Sequence, residues 1–191
     1  MIVVLTGFGA FAGVADNPSA HIAQYAQLPN HINTIRRVLE VTPTACDDFL
    51  AEIIPYKPDV ALFFGVASDR DKICLETTAY NALKPAFQGE FKARPIKAKS
   101  AEKICTAISG MSELAEKICE YGLEATVSDD PGRYICNYLY YKALQQACPQ
   151  TKVLFVHVPL PTKPGSLEKL ITLPQLILES MSKPRWRCKS R

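Results

Sequence analysis

The chain alternates between short, nearly continuous apolar runs and longer stretches in which apolar residues recur every three or four positions. Runs of the first kind read as strands covered on both faces, and stretches of the second kind as amphipathic helices laid against them. The predicted central strands are residues 2–6, 38–42, 60–64 and 153–158, with a shorter one at 125–127. Helical spacing covers residues 44–54, where Phe49, Leu50, Ile53 and Ile54 share a stripe behind Pro43. Residues 111–121 place Leu114, Ala115, Ile118 and Cys119 on one face, with Gly122 past the end. Two more helices are predicted at 134–146 and 167–181, the latter bent or interrupted at Pro174, and another begins near Pro18. Residues 83–99, rich in Lys, Gly and Pro, break the pattern and read as a long, partly hairpin-like excursion near the strand ends. Strand and helix otherwise alternate, which predicts the α/β class: a single three-layer α/β/α domain over residues 1–182 with a mainly parallel, twisted central sheet.

Charge sets this domain apart from the C-terminal end of the chain. Residues 183–191 hold Lys183, Arg185, Arg187, Lys189 and Arg191 and no acid, so the net charge of +3 belongs to a short basic tail on a mildly acidic body. Such an end reads as a solvated tail, and neither a nucleic-acid nor a membrane partner is expected. An apolar content of 48% excludes a disordered chain, and no apolar run approaches the ~20 residues that cross a bilayer. The first 15 residues lack the positive segment of an export leader and read as a strand feeding a glycine turn. The seven cysteines are odd in number, widely spaced and without a C-x-x-C pair, which argues against a disulfide scaffold and a zinc cluster. Most are expected to be reduced thiols serving as small core hydrophobes in a cytoplasmic protein.

In open α/β sheets ligands bind beyond the carboxyl ends of strands, so residues just past the strands carry the chemistry. Gly7, Gly9 and Ala12 match the spacing of a dinucleotide fingerprint, and Glu40 lies on the second strand. However, Asn17-Pro18 delays the helix that should receive a pyrophosphate, and Phe8 and Phe11 crowd the turn. The segment reads instead as a tight turn with two core aromatics, or as the wall of a small apolar pocket. Cys136 falls in the first turns of a helix, where the helix end favours a thiolate, although a buried structural cysteine would fit the same place. His157 ends the last strand, the position of a general base, and Glu76 lies among apolar residues just past the third strand. A Cys–His–acid set needs one residue of each kind at the ends of separate strands.

Four segments together resemble the pyroglutamyl peptidase I (pyrrolidone-carboxylate peptidase) family of cysteine peptidases. They are Leu5 to Gly13 with Asn17-Pro18-Ser19, Gly65 to Asn81 with Arg70, Glu76, Ala79 and Asn81, Ser128 to Asn137 with Tyr140 and Tyr141, and Val156-His157-Val158-Pro159. The resemblance implies an α/β/α fold, no cofactor, no metal, a cytoplasmic homo-oligomer, usually a tetramer, and removal of an N-terminal pyroglutamyl residue from peptides. It implies Cys136 as nucleophile, His157 as base and then acid, and Glu76 as the residue orienting His157. Phe8 and Phe11 would line the lactam pocket beside Thr44, Tyr134 and Ile135; backbone at Val66 would pair the lactam, and Asn17 would hold the turn. Three departures stand out. Ala86 replaces an arginine that the family usually has ten residues after the glutamate. Val66 to Arg70 replaces a Gln-Ala-Gly-Gly-Arg segment. Ala10, Ala12 and Pro131 alter two turns. They raise the alternative of a weakened or altered-specificity relative that binds pyroglutamyl or similar small acyl peptides.

Overall fold

The structure, a computed structural model, describes residues 1–11, 13–84, 93–162 and 165–181. Ala12, Ala86, Cys188 and the basic tail therefore lie outside the described residues. In chain order the elements are β1 (Ile2–Phe8), α1 (Pro18–Tyr25), β2 (Asn33–Leu39), α2 (Pro43–Ile53), β3 (Val60–Val66), β4 (Ile73–Glu76), β5 (Thr78–Tyr80), β6 (Lys103–Cys105), α3 (Met111–Glu120), β7 (Ala125–Ser128), α4 (Ile135–Gln146), β8 (Lys152–Val158) and α5 (Ser166–Met181). Six strands form one sheet in the order β2-β1-β3-β8-β4-β7, and β5 pairs with β6 separately.

The four strands β2, β1, β3 and β8 run parallel. Strand β4 runs against β8, and β7 runs parallel to β4. The reversal has its origin in chain length: the connection from β3 to β4 is too short for a crossover, which needs a dozen or more residues. Every residue of β3 is buried, as its continuous apolar run predicts. Val60, Leu62, Phe64 and Val66 face a core shared with α1, α3 and α5. Ala61 and Phe63 face a second core shared with α2 and α4. The two cores, one on each face of the sheet, make the three layers.

The second strand is displaced from its predicted place at 38–42. It spans Asn33–Leu39 and, among the described residues, pairs only with β1. As an edge strand it is half exposed and carries Arg36 and Arg37, so it lacks the apolar run that marks its neighbours. Arg36 instead donates to the carbonyls of Ala23 (2.8 Å) and Ala26 (2.7 Å) at the end of α1. The short strands β4, β5 and β6 are absent from the sequence reading. Helix α5 runs through Pro174 without interruption. Part of the predicted excursion is a hairpin-like closure: Leu83 bridges Arg94, and Asn81 exchanges two hydrogen bonds of 2.8 Å with the backbone of Lys97.

Only Cys46 and Cys74 among the described cysteines are buried, while Cys105 and Cys119 are exposed, which corrects the expectation that most serve the core. No helix among the described residues is long and apolar enough to cross a membrane.

Candidate active site

The β4–β8 ladder sets the geometry of the site. Glu76 stands opposite Phe155, and Cys74 stands opposite His157. Residues directly opposite in an antiparallel pair share a face, so Glu76 and His157 are diagonal neighbours on the α4 side of the sheet. Glu76 therefore ends a strand of its own, a placement the sequence reading assigned only to the region after β3. Its Oε1 lies 2.8 Å from His157 Nδ1. Both residues are buried, with no part of the Glu76 side chain exposed. The imidazole leans on the Phe155 ring, their centroids 4.8 Å apart. The Tyr140 hydroxyl donates to the Glu76 carbonyl at 2.7 Å, which ties α4 to the end of β4.

Cys136 is the second residue of α4, whose N-cap, Tyr134, makes no capping hydrogen bond through its side chain. Its position is set by Gly65, which stands beside His157 in the β3–β8 register. A Cβ on Gly65 would come within 2.9 Å of both Cys136 Sγ and Phe155 Cζ. The sulfur thus occupies the space that a side chain at Gly65 would fill, on the face of the sheet that carries His157. The helix start alone does not hold a thiolate there. The residue keeps part of its surface, yet desolvation dominates at sulfur, and together with the Glu76 charge it pushes the thiol up to about 12. The backbone N–H of Cys136 and the Arg70 charge pull the other way and are outweighed. Burial at the sulfur thus opposes the thiolate that the helix start favours.

Arg70, from the turn between β3 and β4, donates through Nη1 to Glu76 Oε1 at 2.7 Å. Through Nη2 it donates to the carbonyl of Asp130, in the turn before α4. Asn137, fully buried beside Cys136, accepts from the Tyr80 N–H (2.7 Å) and donates to the carbonyls of Tyr80 and Ala82 (2.8 Å each). The sequence reading gave neither residue a role. Arg70 sits in a run of Ser, Asp and Lys that looks like solvated surface, and it is marked only as part of the segment that resembles the family, six residues before the buried glutamate.

The remaining candidates divide. Phe8 and Ile135 are buried in the apolar cluster against which Cys136 packs. Phe11 packs against the cluster on the opposite face, as does the Val66 side chain, leaving only Val66 backbone for a ligand on the Cys136 side. Thr44 is exposed in the first turn of α2, and Tyr134 is exposed just before Cys136. Asn17 is buried and committed to the turn: it accepts from the Ser19 N–H at 3.0 Å and donates to the Gly9 carbonyl at 2.8 Å. No cluster of three or more metal-ligating side chains occurs among the described residues.

A family profile described as Pyroglutamyl peptidase matches residues 1–182. The chain is 28% identical to a pyrrolidone-carboxylate peptidase of Clostridium botulinum over 193 residues, covering 96% of this chain and 89% of that protein. It is 31% identical to one from Streptococcus suis over 169 residues, covering 83% and 78%. Among solved structures, a mutant pyrrolidone carboxyl peptidase from Pyrococcus furiosus superposes with a TM-score of 0.80 at 25% identity, covering 94% of this chain and 97% of that one. The Bacillus amyloliquefaciens pyroglutamyl peptidase I shares the fold, with a TM-score of 0.79 at 20% identity over 92% and 93% of the two chains. With the profile spanning nearly the whole sequence and the relatives agreeing with it, this chain belongs to the pyroglutamyl peptidase family.

Proposed function

We propose that the protein is a cysteine peptidase that removes an N-terminal pyroglutamyl residue from peptides through an acyl-enzyme. The observation that carries this reading is the contact of Glu76 with His157 on one ladder, with the Cys136 sulfur seated over Gly65, the register partner of His157, on the same face. His157 takes the thiol proton as sulfur attacks the pyroglutamyl carbonyl. The oxyanion is met by the backbone N–H of Cys136 at the helix start. His157 then returns the proton to the departing amine. Water, deprotonated by the same imidazole, hydrolyses the thioester and regenerates the thiol.

The lactam ring is small, flat and uncharged, and it suits a site floored by Phe8 and Ile135, with Thr44 and Tyr134 toward its rim and Val66 backbone for the lactam polar groups. An ordinary peptide N-terminus would bring an ammonium into that apolar space, where an unpaired charge costs several kcal/mol. No step calls for a metal or a cofactor.

The test is release of a fluorescent amine from its pyroglutamyl amide, before and after alkylation with iodoacetamide. Turnover is expected in the untreated protein and is expected to vanish as Cys136, located by peptide mass mapping, is modified. Turnover that survives full modification of Cys136, or that tracks modification of Cys74 instead, would overturn the assignment. Gly65→Ala offers a second check. Its Cβ meets only side-chain atoms, Cys136 Sγ and Phe155 Cζ, so the fold yields and the thiol moves. A displacement of this size is expected to cost about 10²-fold in kcat/KM and only about 1–2 kcal/mol of stability. Measured kcat/KM within three-fold of the parent would show that the sulfur does not react from that position.

A further inference from the structure

We propose that Arg70 is a positioning residue: by keeping Glu76 a carboxylate, it fixes the His157 tautomer whose Nε2 is free to take the Cys136 proton. The proposal rests on the reading of the protein as a cysteine peptidase and concerns how its base is set.

The argument begins with the carboxyl group. The Glu76 side chain is fully buried, and its Oε2 has no hydrogen-bond partner among the described residues. Burial of that kind favours the neutral acid unless a cation offsets it. The cation is Arg70, whose Nη1 meets the same Oε1 that faces His157 Nδ1. A carboxylate can only accept, so both neighbours donate to it and the imidazole proton sits on Nδ1. A protonated Glu76 would donate to Nδ1 instead. The ring would then carry its hydrogen on Nε2 and could not accept from sulfur.

Among the described residues, the other groups that face the carboxylate do not supply this charge. β4 itself brings Cys74, β8 brings His157, and α4 brings Cys136 and Tyr140, whose hydroxyl is spent on the Glu76 carbonyl. Cys105 lies beyond Tyr140, and β7 carries no titratable side chain. In the turn before α4, Arg133 pairs with Asp130 and lies over the Tyr80 ring, so it is engaged elsewhere. Burial works against the Arg70 charge, but its contacts with Cys74 and Glu76 hold its pKa above the usual arginine value.

Arg70 has a second arm, the bond from Nη2 to the Asp130 carbonyl. One guanidinium thus joins the carboxylate to the turn that delivers the nucleophile. A planar fork makes this double contact, which a lysine cannot reproduce. Charge and tie can therefore be separated by substitution.

The experiment compares Arg70→Met and Arg70→Gln with Arg70→Lys in the full chain. Two readouts are tracked across pH: the rate of Cys136 modification by iodoacetamide, located by mass, and kcat/KM on the pyroglutamyl amide. Loss of the positive charge makes the Cys136 thiol hold its proton more tightly. In Met and Gln both profiles are expected to move to higher pH by about one to two units. In Lys the rates fall while the profiles stay in place. Lower rates with unmoved profiles in both neutral variants would leave Arg70 a structural tie and overturn the proposal. Should Met fail to fold, Gln decides it by the same criterion. If both fail while Lys folds with unmoved profiles, the positive charge is needed for folding and the proposal is rejected. The modification arm reads Arg70 even if the amide is not turned over, so failure of the peptidase reading is seen separately.

Discussion

Cys136→Ala is expected to abolish release of the amine from a pyroglutamyl amide, a fall of at least about 10⁵-fold in kcat. Glu76→Gln is expected to cost about 10³–10⁴-fold, although it exchanges one oxygen for a nitrogen. The two losses have different causes. Alanine removes the atom that bonds to the substrate. Glutamine keeps the volume and can keep an oxygen toward both donors, Arg70 Nη1 and His157 Nδ1, but it loses the charge that favours the Nδ1-protonated ring and the imidazolium formed as sulfur reacts. Its amide N–H falls where Oε2 has no partner among the described residues, and an amide turned the other way leaves the ring in the tautomer that cannot accept from sulfur. Because the three residues act as a unit, the double variant is expected to be no slower than Cys136→Ala alone. The measurement is kcat for the three variants on one amide. Glu76→Gln within ten-fold of the parent would mean that the carboxylate does not orient the base.

Gly7→Ala is expected to be the most damaging single methyl in the described chain. Its Cβ would stand 1.9 Å from the Ser19 carbonyl oxygen, 2.3 Å from that carbonyl carbon and 2.8 Å from Ala20 N. All three are backbone atoms, so no side chain can swing aside. Ser19 is itself fixed, because its Oγ accepts from the Phe8 N–H at 3.0 Å and donates to Asn17 Oδ1 at 2.7 Å. The start of α1 would have to lift off β1. The expected loss is roughly 3 kcal/mol or more, or about 10 °C in Tm for a chain of this size. Gly9→Ala, two residues on, meets nothing closer than 3.7 Å and should cost under about 1 kcal/mol. Thermal unfolding of the pair checks this. Equal Tm values would show that the helix slides to accommodate the methyl.

Gly7 also shows where sequence reading and structure part. Its spacing with Gly9 and Ala12 imitates a cofactor loop, yet the close approach it permits is that of α1 to β1. Strands β1, β3 and β8 were legible because burial on both faces leaves an unbroken apolar run. β2 was misplaced because an edge strand has one neighbour and tolerates Arg36 and Arg37. β4 escaped notice because four residues are too few to show a period, although it carries Glu76. The candidates Glu76, Cys136 and His157 could be named from residue type and from resemblance, but the diagonal across the β4–β8 ladder could not, since it depends on a strand running against its neighbour. Phe11 and the Val66 side chain turned to the other face for a related reason: a one-residue change of parity along a strand or turn moves a side chain across the sheet.

The reversed strand has a mechanical consequence. Carboxylate and imidazole occupy adjoining rungs of a single hydrogen-bonded ladder, so their separation is as stiff as the sheet itself. The sulfur arrives on the end of a helix moored by Asn137 and by the Arg70 bond to Asp130. The carboxylate–imidazole spacing therefore rests on the ladder and the sulfur's place on side-chain bonds, so activity is expected to be lost at lower denaturant than the sheet's circular-dichroism signal and to return as the helix end reseats.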